Sequence, residues 1–202
     1  VSCYIANENL TDKWFDILLM LIKRSNYHIG YMLDQRSNRY GNDIAINIVN
    51  EGKIKSLSYF TLWSLIKEVG CSLSVLEQDQ KKPVIGILSQ NQLNCILVDL
   101  ACLAFGFEIV PIPVNATSKH VSFILKHSEV THLFLGGKKG NDIWSDIIDR
   151  SLIKTIAMDA SIKIYESLDW EQFLEIGDQL ITFNVDKKMG SVNINDTQSI
   201  MY

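Results

Sequence analysis

Residues 91–105 read as a helix that is apolar nearly all round, with Ile96, Leu97, Val98, Leu100, Leu103 and Phe105 leaving no polar stripe. Such a helix cannot lie on a surface. It must be buried between two layers of other structure. Its flanks say what those layers are. Residues 84–88 before it form a continuous apolar run of strand length, introduced by Pro83, and residues 107–111 after it form another. Ser89-Gln90-Asn91-Gln92 has the form of a capping box, with a hydroxyl at the N-cap and an amide three residues on. Gly106 suits the C-terminal cap.

The alternation continues. Thr117 starts a helix to about His127, 131–135 is a strand, 141–150 a helix and 153–158 a strand. Residues 83–158 therefore read β-α-β-α-β-α-β. Short apolar strands separated by helices imply an α/β fold with a largely parallel sheet, right-handed crossovers and helix-covered faces.

Ahead of this core, residues 11–24 put Trp14, Ile17, Leu18, Leu21 and Ile22 at helical spacing among Asp12, Asp16, Lys23 and Arg24. This is an amphipathic helix expected to pack on something. A short helix over 29–39 ends near Gly41. Ile44, Ile46 and Ile48 then alternate with Ala45, Asn47 and Val49, and a second strand near 54–57 follows, which is a hairpin signal. Ser58 caps a helix over 59–76. After the core, 168–175 reads as a short helix, 186–195 as a loop and 198–202 as the start of a strand. At ~150 residues per domain, 202 residues make one domain or one and a fraction. We divide it as N-terminal helices (1–42), α/β core (43–158) and an irregular segment (159–202).

With 19 Lys and Arg against 23 Asp and Glu, the net charge is −4, so no basic excess exists to neutralise a nucleic-acid backbone. No apolar stretch reaches the ~20 residues needed to cross a bilayer, and no secretory leader is visible. Cys3, Cys71, Cys95 and Cys102 show neither C-x-x-C nor zinc spacing and read as small buried hydrophobes. Asn9, Asn115 and Asn195 fall in Asn-x-Thr sequences that read as chance rather than glycan acceptors.

No chemistry-bearing constellation stands out. Gly136-Gly137-Lys138-Lys139-Gly140 could hold an anion on free N–H groups but lacks the phosphate-loop spacing, so it reads as a flexible basic turn. Asp142, Asp146 and Asp149 share one face of the expected helix and read as solvated. His120 and His127 lie two helical turns apart, ~10 Å, too far to share one ion; together with His132 they read as surface or cap residues. Asp99 within the apolar helix reads as a structural hydrogen bond or a narrow exposed edge. No G-x-S-x-G elbow is present. The residues alone assign no catalytic, cofactor-binding or metal-binding position.

The order of segments resembles the start of the adenylate-forming synthetases, and among them the acyl-CoA synthetases of long-chain fatty acid type. Four stretches carry the resemblance: Arg39-Tyr40-Gly41-Asn42-Asp43-Ile44-Ala45, Leu57-Ser58-Tyr59-Phe60-Thr61-Leu62, the strand Val84–Ser89 with Gln90 and Asn91, and the run from Asp99 to Pro113 with its buried helix, glycine, strand and Val110-Pro111-Ile112-Pro113 turn. Asn115–Ser128 and Thr131–Leu135 are similar to the next helix and strand. Thr61 and His120 stand where the family more often has an acid.

The resemblance implies a parent that uses ATP, Mg2+ and coenzyme A to turn a carboxylic acid into an acyl-adenylate and then a thioester. It also implies that residues 196–202 lead toward the phosphate-binding loop. The expected consequences are an N-terminal fragment inactive by itself and partnered by the remainder of the synthetase. Its setting would be cytoplasmic, with peripheral membrane association left open. An unpaired sheet edge and an uncovered face would favour self-association. The alternative is a non-enzymatic α/β binding or scaffold module of the same fold.

Overall fold

The computed structural model describes residues 13–50, 52–77, 82–147, 153–164, 167–178 and 183–202. The chain enters through helices α1 (Trp14–Ser25) and α2 (Ile29–Tyr40). The hairpin follows as β1 (Ile44–Asn50) and β2 (Lys53–Ser58), antiparallel, with Ile46 opposite Leu57 and Val49 opposite Ile54. Helix α3 (Tyr59–Val75) begins where the sequence places it, because the Ser58 hydroxyl accepts the Thr61 N–H at 3.2 Å.

Four parallel strands make the central sheet: β3 (Val84–Ser89), β4 (Glu108–Pro111), β5 (His132–Gly136) and β6 (Lys154–Ala157), in the order β4-β3-β5-β6. The crossovers are α4 (Leu93–Phe105), α5 (Ser118–His127) and α6 (Gly137–Ser145). Helices α7 (Trp170–Asp178) and α8 (Val185–Gly190) complete the described elements. The α/β class and the β-α-β-α-β-α-β order expected from the sequence are both present.

Side chains alternate across the sheet with period two, as pleated strands require. Ile85, Ile87, Ile109, Phe134 and Ile156 point into one core with Trp63, Ile66 and Leu73 of α3, Leu97, Ala101 and Phe105 of α4, and Phe173 of α7. Leu88, Val110, Leu133, Leu135 and Ala157 point into a second core with Val121 and Ile124 of α5 and Trp144 of α6. Helix α4 is thus enclosed by the sheet on one side and α3 on the other, which accounts for its missing polar stripe. Gly70 of α3 permits the close approach: a Cβ there would collide with the Phe105 ring.

Several expectations need correction. The uncovered sheet face is absent, because helices pack against both faces. The outer edges also receive partial cover. Ser199 bridges in parallel to Ile109 beside β4, and Leu168 to Ile156 beside β6. The first bridge bears out the expected strand start near residue 198. Ser89 does not cap α4: it is the last residue of β3, in register with Gly136, and its hydroxyl donates to the Gln90 carbonyl at 2.7 Å. The helix begins later, with Gln92 at its N-cap and no side-chain cap bond. Residues 186–195 contain the short helix α8 rather than only loop. Helix α1 forms, but no residue of it is buried.

Candidate functional site

In a parallel α/β sheet, a crevice opens at the strand C-termini where successive connections leave in opposite directions. Here that point lies between β3 and β5, since β4 is on one side of β3 and β5 on the other. The turns after Ser89 and Gly136 are brought together there, and a residue the sequence reading passed over, Asp159, joins them from the end of β6.

Asp159 is the centre of the cluster. Its Oδ2 accepts the Gly137 N–H at 2.7 Å and the Gln92 Nε2–H at 2.9 Å. Its Oδ1 accepts the Ser161 N–H at 2.8 Å and the Ser161 hydroxyl. Gln92 Nε2 also donates to Ser89 Oγ at 2.9 Å. Partial burial works to raise the Asp159 pKa, but the bonds from Ser161, Gly137 and Gln92 outweigh it and hold the carboxyl below its usual range. A charged carboxylate therefore sits on the N-terminal turn of α6, where the helix dipole favours an anion.

This settles how the glycine-rich segment behaves. Gly136 ends β5, and Gly137 to Gly140 begin α6 instead of forming a flexible turn. Gly137 takes a left-handed φ of +73°, and a Cβ there would come 2.8 Å from Gln90 Oε1. A Cβ at Gly136 would collide with Gln92 and Ser89. The two glycines thus make room for the protein's own side chains. Lys138 and Lys139 are exposed. At this crevice the Gly137 N–H, the first of the N-terminal turn of α6, is already bonded to Asp159.

The remaining candidates scatter. Helix α6 stops at Ser145 with Asp146 as its C-cap; Asp142 and Asp146 are both exposed, Asp146 accepts from Ser118 Oγ at 3.3 Å, and Asp149 lies outside the described residues. Among the described residues, no group of three or more His, Cys, Asp or Glu is placed to hold a metal. His120 is exposed on α5, and His127 pairs with the Tyr202 hydroxyl at 2.5 Å. His132 is no surface residue: it opens β5, 7% exposed, with Nδ1 3.0 Å from Thr131 Oγ1. Burial first and the Lys154 charge second push its pKa down to about 4. Asp99 lies at a half-exposed edge of α4, its pKa raised by burial. Burial also raises the thiol pKa of Cys71, Cys95 and Cys102; Cys3 lies outside the described residues.

A second feature escaped the sequence reading. His28 caps α2: its Nδ1 accepts the Gly30 N–H at 3.1 Å and its Nε2 lies 3.1 Å from the Met189 carbonyl. This pairing requires the neutral ring with the proton on Nε2, and burial lowers the His28 pKa accordingly. Beside it, Tyr27, Met32, Ile194 and Asp196 line an open groove of about 370 Å3. For Asp159 the sequence does carry a signal: an acid directly after an apolar strand, with a serine two residues on, is an Asx-turn pattern.

The domain architecture matches a known family model, AMP-binding enzyme, over residues 33–202. The chain belongs to the AMP-binding enzyme family. Long chain acyl-CoA synthetase 4 of Arabidopsis thaliana is 26% identical over 139 residues, covering 63% of this chain and 21% of that protein. Coronafacic acid ligase of Pectobacterium brasiliense superposes with a TM-score of 0.67 at 18% identity, over 87% of this chain and 33% of the ligase. An acyl-CoA synthetase of Brucella canis gives 0.65 at 10% identity, over 86% and 31%. At these identities the structures show the shared fold, that of the N-terminal domain of adenylate-forming enzymes. The chain spans about a third of the solved relatives and about a fifth of the curated one.

Proposed function

We propose that these residues form the N-terminal framework of an ATP-dependent acyl-CoA synthetase that activates a fatty acid in the cytoplasm. The parent reaction joins a carboxylate to the α-phosphate of ATP and then transfers the acyl group to the thiol of coenzyme A. The observation that carries the reading is the parallel sheet β4-β3-β5-β6 within residues matched to the AMP-binding family. The likeness to a long-chain acyl-CoA synthetase supports the fatty-acid substrate.

The role assigned to this chain is support. Strands β3 to β6 and the enclosed helix α4 hold residues 198–202 against β4, through Ile109 N–H to the Gln198 carbonyl at 2.9 Å and Ile200 N–H to the Ile109 carbonyl at 2.9 Å. The grip on the phosphates, Mg2+ and coenzyme A is assigned to other parts of the synthetase, because this chain spans only about a third of the solved relatives. The test is fatty-acid-dependent exchange of pyrophosphate into ATP. Residues 1–202 alone are expected at the level of the blank, and a protein of full family length carrying these residues well above it. Exchange by residues 1–202 alone would refute the reading.

The second reading, a non-enzymatic scaffold module, is favoured by one observation: both sheet faces are covered within these residues. An inactive full-length protein that still folds would select it.

A further inference from the structure

Residues 198–202 are held to the sheet edge by little main chain. Among the described residues, two backbone hydrogen bonds tie them to β4, both at Ile109: its N–H donates to the Gln198 carbonyl and its carbonyl accepts the Ile200 N–H, each at 2.9 Å. The Ile200 side chain packs against the second core, the one α5 covers. Met201, next in the chain, is 80% exposed. An edge segment paired at one residue opens easily unless a side chain holds it. Tyr202 supplies that hold. Phe123 and His127 lie one turn apart on α5 and stack, with ring centroids 5.3 Å apart and planes at 21°. The Tyr202 ring stands edge-on to both, 6.2 Å from Phe123 and 5.7 Å from His127, an arrangement that aromatic quadrupoles favour. Its hydroxyl lies 2.5 Å from His127 Nδ1. With the ring proton on Nε2, Nδ1 accepts the hydroxyl hydrogen; a protonated ring donates to the hydroxyl oxygen instead, so the bond forms in either charge state.

The three rings are exposed and belong to neither core, so the cores do not require them. What they share is the hold on Tyr202. The direction of the held segment gives that hold a use. Ser199 bridges to Ile109 in parallel, so the segment runs with the four strands toward their C-terminal ends. That is the end at which open parallel α/β sheets take ligands. We propose that Phe123 and His127 are positioning residues: they clasp Tyr202 and so fix the course of the chain past the sheet edge, on which the grip on ATP depends. The inference rests on the reading of these residues as part of an ATP-dependent synthetase, and it assigns neither residue a contact with the nucleotide.

The experiment uses a protein of full family length carrying these residues, unsubstituted and as Tyr202→Phe, His127→Ala and His127→Asn. Fatty-acid-dependent pyrophosphate exchange is measured against ATP concentration, and hydrogen exchange is followed by mass spectrometry over the peptide that contains Ile200. Tyr202→Phe and His127→Ala are each expected to raise KM for ATP about fivefold, the loss of one net hydrogen bond, with kcat and the fatty-acid KM unchanged. His127→Asn, whose amide reaches the hydroxyl from the place of Nδ1, is expected to recover most of that loss. Exchange of the Ile200 amide should quicken about fivefold in the first two variants, while the β5 amides and the thermal midpoint stay those of the unsubstituted protein. An unchanged KM for ATP, a fall in kcat alone, a lowered midpoint or a His127→Asn variant no better than His127→Ala would each overturn the positioning role. Unaltered exchange at Ile200 would overturn the clasp itself. An unsubstituted protein without exchange activity would instead refute the functional reading, and the clasp would then be decided by the Ile200 amide.

Discussion

Acidification should destabilise this domain through His132 before Asp159 titrates. The ring opens β5, paired in register with Ile85 of β3 and Lys154 of β6. Burial and the Lys154 charge lower its pKa from 6.5 to about 4, so the folded state holds it neutral. Between those two values the unfolded chain binds a proton that the folded chain refuses, and stability rises with pH. The contribution is complete above pH 6.5 and is lost as pH falls toward 4. A shift of this size corresponds to about 3 kcal/mol at ~1.4 kcal/mol per pH unit. His28 acts in the same direction, since its lowered pKa reflects a buried neutral ring whose Nδ1 must accept from Gly30. Asp99 opposes them: its raised pKa means that the fold gains a proton as pH falls toward the carboxylate range. Asp159 acts only at lower pH, because the stability its depressed pKa contributes is present above the ordinary carboxylate value of 3.8 and is lost as pH falls below it. The assay is urea unfolding followed by tryptophan emission, across pH values from above 6.5 to about 4, for the parent and for His132→Gln. The variant should lose up to one proton of slope, about 1.4 kcal/mol per pH unit, within that window. Equal slopes for parent and variant would refute the reasoning.

Two further perturbations test the packing and the crevice. Gly70→Ala forces a methyl group into the Phe105 ring and separates α3 from α4, which should cost about 1–3 kcal/mol in urea unfolding and leave far-UV circular dichroism unchanged. Asp159→Asn removes the charge bonded to Gly137, Gln92 and Ser161 and should cost about 1 kcal/mol at neutral pH. The same variant should flatten the loss of stability below pH 3.8, measured by the same unfolding curves.

Much of the fold was legible because its signals are local. Helix α4 announced burial by having no polar side. Ser58 and Thr117 announced helix starts because a hydroxyl satisfies an N–H three residues on, and both do so here. The same rule failed at Ser89, where the local pattern was right but the strand claimed the residue: pairing with β5 extends β3 through Ser89 and delays the helix to Leu93.

The candidate site was less legible, since Gln92, Gly137 and Asp159 are far apart in the chain and meet only because β3, β5 and β6 lie side by side. The sequence by itself determined the apolar periods, hence the layers and the parallel class, because periodicity depends on neighbours within a turn or a pleat. The tertiary structure alone decided which strand lies beside which, that both faces of the sheet are covered, and that a carboxylate from β6 fills the N-terminal turn of α6. Those outcomes depend on contacts across tens of residues, where no local spacing encodes the partner.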